Sequence, residues 1–430
     1  GLSATLADPW PPLRGLVGPD GTGTVIRAGG RKEVSLEVVI PASVERFPWT
    51  GHMGFRMLPD VLRIVRSART ALVFTNTRAQ AELWYQALLD AAPELAGEMA
   101  THHGSLDDRV RRWVEEALGD GALRVVVCTS SLDLGIDFRP VDAVVQIGSP
   151  KSVSRLVQRA GRSGHAPGET SRIFLVPTHA LELLEFSALR EGVEAGMYEE
   201  RAPLGKPLDV LAQYLVTIAL GEGFRAPQLL AEIRRTQAYE SLTEEEWSWL
   251  LAFVTTGGPV LDRYPDFNRV SCIDGEFRMS GSRAALRHRL SIGTIVSDPE
   301  VQVKMLRGGT LGSVEESFAA RLKPGDTFVL GGRRLEVVRL RELVITVKAV
   351  GAAAGVTPRW GGGRLQLGSE LAGVMRERLE QVRREEWYDD AVTALGPLFE
   401  VQRRWSLLPG RDELLVELVR TRFGHHCFVY

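Results

Sequence analysis

Between residues 45 and 195, short continuous apolar runs alternate with stretches of helical period. Residues 71–75, 124–128, 143–147 and 172–176 are predicted as strands, and 79–89, 109–118 and 153–160 as helices. Strands that are apolar on both faces and alternate with helices predict a parallel sheet covered on both sides. Residues 34–40 alternate as one more strand, in a segment (1–44) separated from this domain by the linker-like stretch 41–51. After about residue 196 the period turns helical, over 208–220, 227–234 and 247–254, the last behind a capping box of Thr243 and Glu246. With strand-like 270–279, this makes 196–297 a mainly α domain. From 298 to 430 the pattern is first β, with strands at 301–306, 311–317, 327–330, 333–340 and 343–350. Gly-Gly and Pro-Gly-Asp turns at hairpin spacing predict a small barrel or curled sheet there. Charged helices are expected over 369–389 and 413–421.

Composition narrows this picture without redirecting it. Apolar content of 44% and charged content of 25% suit several globular domains. The net charge is −2, so any nucleic-acid surface must be local. Three cysteines, Cys128, Cys272 and Cys427, stand far apart and outside metal spacing. A reducing cytoplasm fits, and neither a disulfide framework nor a metal site is expected. No run of eighteen apolar residues predicts a membrane span. Gly1 without Met and the apolar end Phe428-Val-Tyr430 give the expectation that both ends are cut from a longer protein.

The candidate chemistry lies in a few short motifs. Residues 158–165 read Gln-Arg-Ala-Gly-Arg-Ser-Gly-His and follow Thr129-Ser-Ser-Leu-Asp-Leu-Gly-Ile-Asp137. Nucleotide hydrolysis shared between two lobes needs cations that reach the transferred phosphate from outside. Arg162 is the best candidate for such a finger, with Arg159 three residues earlier on the same helical face. Gln158 is a candidate for polar contacts to the nucleotide or to the partner domain. Thr129, at the carboxyl end of a parallel strand, offers its hydroxyl and N–H to a nucleic-acid phosphate. Gly135 allows close backbone approach, and Asp137 accepts from ribose or finger. In Phe74-Thr-Asn-Thr-Arg78, Asn76 and Thr77 are candidates for DNA backbone contacts at a helix N-terminus, with N-capping the plainer alternative. In Thr101-His-His-Gly-Ser105, His103 and Ser105 are candidate phosphate contacts, and Ser105 reads equally well as a cap.

These stretches resemble motifs IV, V and VI of superfamily 2 helicases, and Ser3-Ala4-Thr5 resembles the motif III that couples hydrolysis to DNA binding through Ser3 and Thr5. One departure is His165, where many helicases have Arg. With Leu311-Gly-Ser-Val-Glu-Glu-Ser-Phe318 and the closing Gly-His-His-Cys-Phe-Val-Tyr, the chain is similar to the Lhr (large helicase-related) family, in its ligase-associated DEXH-box branch. The resemblance implies the tail of a first RecA-like domain over 1–44, a second RecA-like domain over 45–195, a winged-helix domain over 196–297 and a family-specific β-barrel-like module over 298–430. It implies an ATP-dependent 3′-to-5′ DNA translocase that uses ATP and Mg²⁺, acts on single-stranded DNA in bacterial DNA repair beside a ligase, and lies in the cytoplasm with the nucleoid. It also implies a base-stacking role for Trp360, in Thr357-Pro-Arg-Trp360, against the plainer reading of a plug in a domain seam. Arginine-rich 283–289 and 376–384 are candidate strand-contacting faces, though the second alternates with Glu, a pattern more often of a solvated helix.

No Gly-x-x-x-x-Gly-Lys-Ser/Thr occurs, since Gly205-Lys206 is followed by Pro, and Asp412-Glu413-Leu-Leu is no Asp-Glu-x-His. The phosphate cradle and magnesium carboxylates are expected from an N-terminal RecA-like lobe outside this chain. Alone, the chain is expected to hydrolyse no ATP. A non-enzymatic nucleic-acid-binding or annealing module and an RNA helicase are the rival readings.

Overall fold

The computed structural model describes all residues except 4, 28–32, 45–52, 134–140, 165–169, 201–204, 258–269, 280–281, 291–299, 342, 352–354, 359–365, 423 and 430, and except the side chains of 282–284 and 287. They fall into two compact units, one of residues 1–29 with 200–297 and one of 30–199 with 298–430. Among the described residues, no helix is long and apolar enough to cross a membrane.

After α1 (Trp10–Val17), the chain enters the larger unit through β1 (Val34–Val38). There follow α2 (Leu58–Ser67), β2 (Ala71–Phe74), α3 (Arg78–Ala91), β3 (Met99–His102), α4 (Asp108–Gly119), β4 (Val125–Cys128), β5 (Ala143–Ile147), α5 (Val153–Ala160), β6 (Ser171–Val176) and α6 (Glu182–Ala195). The described strands form one six-stranded parallel sheet in the order β1-β6-β5-β2-β4-β3. Every residue of β2, β4 and β5 is buried, as continuous apolar strands covered on both faces require. β1 lies before residue 45, yet it pairs with β6 from Val34↔Ser171 to Val38↔Leu175 and extends the same sheet.

The smaller unit is helical. It holds α7 (Leu208–Leu220), β7 (Phe224–Arg225), α8 (Ala226–Ile233), α9 (Glu244–Thr255), β8 (Ser271–Ile273), β9 (Glu276–Arg278) and α10 (Ser282–Leu290). The capping box at Thr243 and Glu246 starts α9, and Leu211, Leu215, Trp247 and Leu250 are in its core. A three-stranded wing, ordered β7-β9-β8, completes a winged helix.

Back in the larger unit, β10 (Glu300–Met305), β11 (Thr310–Glu315), a short α11 (Glu316–Ala319), β12 (Thr327–Leu330), β13 (Arg333–Arg341) and β14 (Val344–Ala349) make a curled mixed sheet, ordered β11-β10-β14-β13-β12. Residues 298–430 contribute to two cores. The curled sheet closes its own core with Leu106, whereas Leu371 and Val382 of α12 (Ser369–Arg383) join the core of the parallel sheet, as does Phe399 farther along the chain. α13 (Asp390–Ala394) and α14 (Gly396–Trp405) lead to a final hairpin of β15 (Val416–Thr421) and β16 (Gly424–Val429). The helix expected over 413–421 is therefore a strand, because β-branched Val416, Val419 and Thr421 find antiparallel partners in β16.

Candidate functional site

The described parts of motifs IV, V and VI meet at the carboxyl ends of β2, β4 and β5, where open parallel sheets place ligands. α5 supplies the arginines. Its N-cap Ser152 accepts from Arg155 N, and the carboxylate of Glu199 accepts from Val153 N, from Ser154 N at 3.0 Å and from Ser152 Oγ at 3.0 Å. Burial works to raise the Glu199 carboxyl, but the hydrogen bonds from Ser154 and Val153 outweigh it and hold the group below the ordinary carboxylate range. Past α5 the chain turns at Gly164, whose φ is +61° and where a Cβ would meet Thr170 O at 2.8 Å.

Asp133 gathers the arginines of this helix. Arg159 Nε and Nη2 donate to its two carboxylate oxygens at 2.8 and 3.3 Å, and Arg155 Nε lies 3.9 Å away. Arg162 Nη2 donates to the Asp133 carbonyl at 2.7 Å. Arg159 Nη1 also donates to Gln146 Oε1 at 2.5 Å, and its guanidinium sits 4.8 Å over the Phe74 ring. Arg159 is only 2% exposed, so the finger role expected for it is corrected: it is an interior anchor. Two charge-assisted bonds and a stacked ring hold it inside the sheet end. Arg162 and Gln158 are half-buried at the rim.

Gln146 extends the cluster to motif IV, its Nε2 lying 3.4 Å from Asn76 Oδ1. Asn76 Nδ2 donates to Ser149 O at 2.8 Å, so the Asn76 amide orders the sheet end as well as bordering it. Thr77 is the exposed N-cap of α3 and accepts from Gln80 N. Thr129 follows β4 at 8% exposure, with its N–H on His102 O at 3.2 Å. His102 itself bridges Ser131 Oγ and Glu115 Oε1; burial pushes its ring below the ordinary histidine value, and Glu115 pulls it part of the way back.

His103 and Ser105 lie elsewhere than expected. His103 is fully buried, with Nε2 on Glu82 Oε1 at 3.0 Å and Nδ1 accepting from Ser105 N at 3.3 Å. Glu82, equally buried, also accepts from Gly331 N and from Gly332 N at 2.9 Å. Ser105 is 2% exposed, its Oγ accepting from Arg78 Nη1 and its carbonyl from Ser313 N. Both residues fasten the curled sheet to the parallel one, and neither presents a surface to phosphate. Of residues 376–384, Arg378 is buried on Glu191 and over Tyr388, while the more exposed Arg383 and Arg384 pair with Glu380.

Ser3 and Thr5 belong to the smaller unit, where Ser3 Oγ accepts from Thr5 N at 3.3 Å. Gly135, Asp137, His165 and Trp360 lie outside the described residues. The functional groups that sequence reading missed are Asp133, Gln146, Glu82 and Glu199. Three carried a signal, since each is a polar residue inside an apolar run: Gln146 in Ala-Val-Val-Gln-Ile, Asp133 between leucines, and Glu82 beside Ala81 and Leu83.

A family model of the helicase conserved C-terminal domain matches residues 54–167, and one of the winged helix domain of large helicase-related proteins matches 191–357. The ATP-dependent helicase Lhr-Core of Methanocaldococcus jannaschii is 29% identical over 97% of this chain and 50% of its own length. Lhr-Core protein 2 of Thermococcus barophilus is 33% identical over 85% of this chain and 45% of its own. The chain thus spans about half the length of these relatives. The fold is similar to that of Mycobacterium smegmatis helicase Lhr bound to ssDNA and AMP-PNP, with a TM-score of 0.73 and 24% identity over 100% of this chain and 53% of that one.

Proposed function

We propose, because this chain belongs to the Lhr-type helicase family, that it is the part of an ATP-dependent DNA helicase that completes a nucleotide site built mainly by another lobe. The observation that carries this reading is Arg162, held at the rim by the Asp133 carbonyl while its neighbour Arg159 is locked inside. A guanidinium steadied in this way loses little freedom when it meets a phosphate, which is what a finger needs. Bound ATP supplies the free energy of hydrolysis. From this chain it meets Arg162 and Gln158, while Mg²⁺ needs carboxylates from elsewhere, since Asp133 is committed to arginines.

Single-stranded DNA is the proposed track, with Thr77 and Thr129 as backbone contacts and Trp360 as a stacking group; relatives of this fold are described bound to DNA. Gly135 and Asp137 are proposed to border the nucleotide, and Ser3 and Thr5 to couple hydrolysis to DNA. The domain limits at 195 and 297, 3′-to-5′ movement and a repair role beside a ligase belong to the same proposal. The test is complementation. This chain alone should show no ATPase above background, and adding the lobe that holds the phosphate loop should restore DNA-stimulated hydrolysis. Turnover by the chain alone, or no rescue by the added lobe in a complex shown to form, would count against it.

A further inference from the structure

The curled sheet has a second face that neither its core nor the nucleotide site uses. Val303, Ile345, Val347 and Val337 point inward and are at most 1% exposed. Alternation sends their neighbours to the opposite face. There the register aligns Lys304 with Thr346 on β14 and Thr346 with Arg339 on β13, a row across three strands. The next row pairs Lys348 with Glu336. One irregularity sets this arrangement. The register shifts between Val337 and Arg339, which carries Arg339 outward where strict alternation would bury it.

The carboxylates of this face, Glu300 and Glu315 at one end and Glu336 at the other, leave some of its cations without a partner. Lys348 has a carboxylate partner, Glu336 at 2.8 Å. Lys304 and Arg339, among the described residues, have neither an ion pair nor a side-chain hydrogen bond, in contrast to the arginines of α12. Lys304 and Arg339 flank Thr346 with β14 between them, and both hold positive charge that a polyanion would offset. With a net charge of −2 for the whole chain, this is a local surface of the kind nucleic acid requires. No aromatic side chain accompanies these cations in the two rows, so the face suits phosphates and not bases.

We propose that the outer face of the curled sheet, centred on Lys304 and Arg339, binds the phosphate backbone of a nucleic acid without reading its sequence. The choice of nucleic acid over other polyanions rests on the helicase reading. The contact itself is independent of nucleotide.

The test is fluorescence anisotropy of this chain, without ATP, on labelled single-stranded and duplex oligonucleotides of one sequence. Salt is titrated across roughly 50 to 200 mM, where each neutralised phosphate changes affinity steeply. The double variant Lys304→Glu/Arg339→Glu should bind about tenfold or more weakly, and the slope of log affinity against log salt should shrink by about 0.7–0.9 for each phosphate no longer neutralised. Lys304→Gln/Arg339→Gln, a smaller disturbance, should lose less in the same direction with an unchanged thermal melt. Loss in one arm identifies strand or duplex as the source of the phosphates, and loss in both a backbone contact common to them. Unchanged affinity in both arms overturns the proposal, as does an equal loss in Lys323→Glu, an exposed cation elsewhere in the module. Since no hydrolysis is read, failure here leaves the Arg162 reading standing, and failure there leaves this one.

Discussion

A carboxylate that holds arginines inside a protein decides which of them remain usable. Asp133 takes Nε and Nη2 of Arg159 and lends its carbonyl to Arg162, so two arginines that look alike in sequence acquire different work. Burying a guanidinium costs several kcal/mol, which an ideal pair offsets; removing one partner leaves the other charge stranded. Asp133→Ala should therefore lower the stability of the larger unit by about 3–5 kcal/mol in urea unfolding followed by circular dichroism. A loss under about 0.5 kcal/mol, ordinary for a surface site, would mean that the clasp contributes nothing. From the sequence, helical spacing put Arg159 and Arg162 on one helical face, but α5 ends at Ala160 and Arg162 lies in the turn beyond it, and spacing could not show depth. What separates them is an acid 26 positions earlier in the chain, brought close only by the parallel sheet. The same blindness applied to His103, whose partner Glu82 lies 21 positions away.

At the scale of elements, helix α5 is set by what meets its first turn. Glu199 brings a carboxylate to three donors at the positive end of the helix, at the point where the chain leaves the larger unit. Its carboxyl is held below the ordinary range, against the pull of burial, so the folded state prefers the anion. The contribution is therefore fully present above the ordinary carboxylate value and fades as pH falls through the lowered one. Hydrogen exchange at Val153–Arg155, corrected for intrinsic rates, should lose protection on acidification through that window. Glu199→Gln should start with less protection at neutral pH and show no such step. An identical step in the variant would assign it to another group. Elements were legible wherever periodicity was clean: β2, β4, β5, α5 and the strands of the curled sheet fall close to their expected places. α6 was not marked, because it is buried nearly all round, Glu182 and Glu185 included, and so shows no amphipathic stripe. β15 was misread for the opposite reason: its charges imitate an exposed helix, and its partner strand comes after it in the chain.

For the molecule as a whole, the curled sheet is not an appendage. Glu82 receives the Gly331-Gly332 turn, and Leu106 enters the curled sheet's core, so the helix that begins at motif IV is tied directly to that module. A device that moves one lobe thereby moves the module with it. Sequence pattern gave the order of folds, but not this joint, whose donors are backbone amides of a turn that any glycine pair could have formed. The central claim is that Arg162 completes a nucleotide site housed mostly by another lobe. Its most direct test is single-turnover ATP hydrolysis by the full-length protein carrying Arg162→Ala, on saturating single-stranded DNA. A loss of about a thousandfold or more is expected, as for other arginine fingers, with nucleotide affinity nearly unchanged. Hydrolysis at the unsubstituted rate would contradict it.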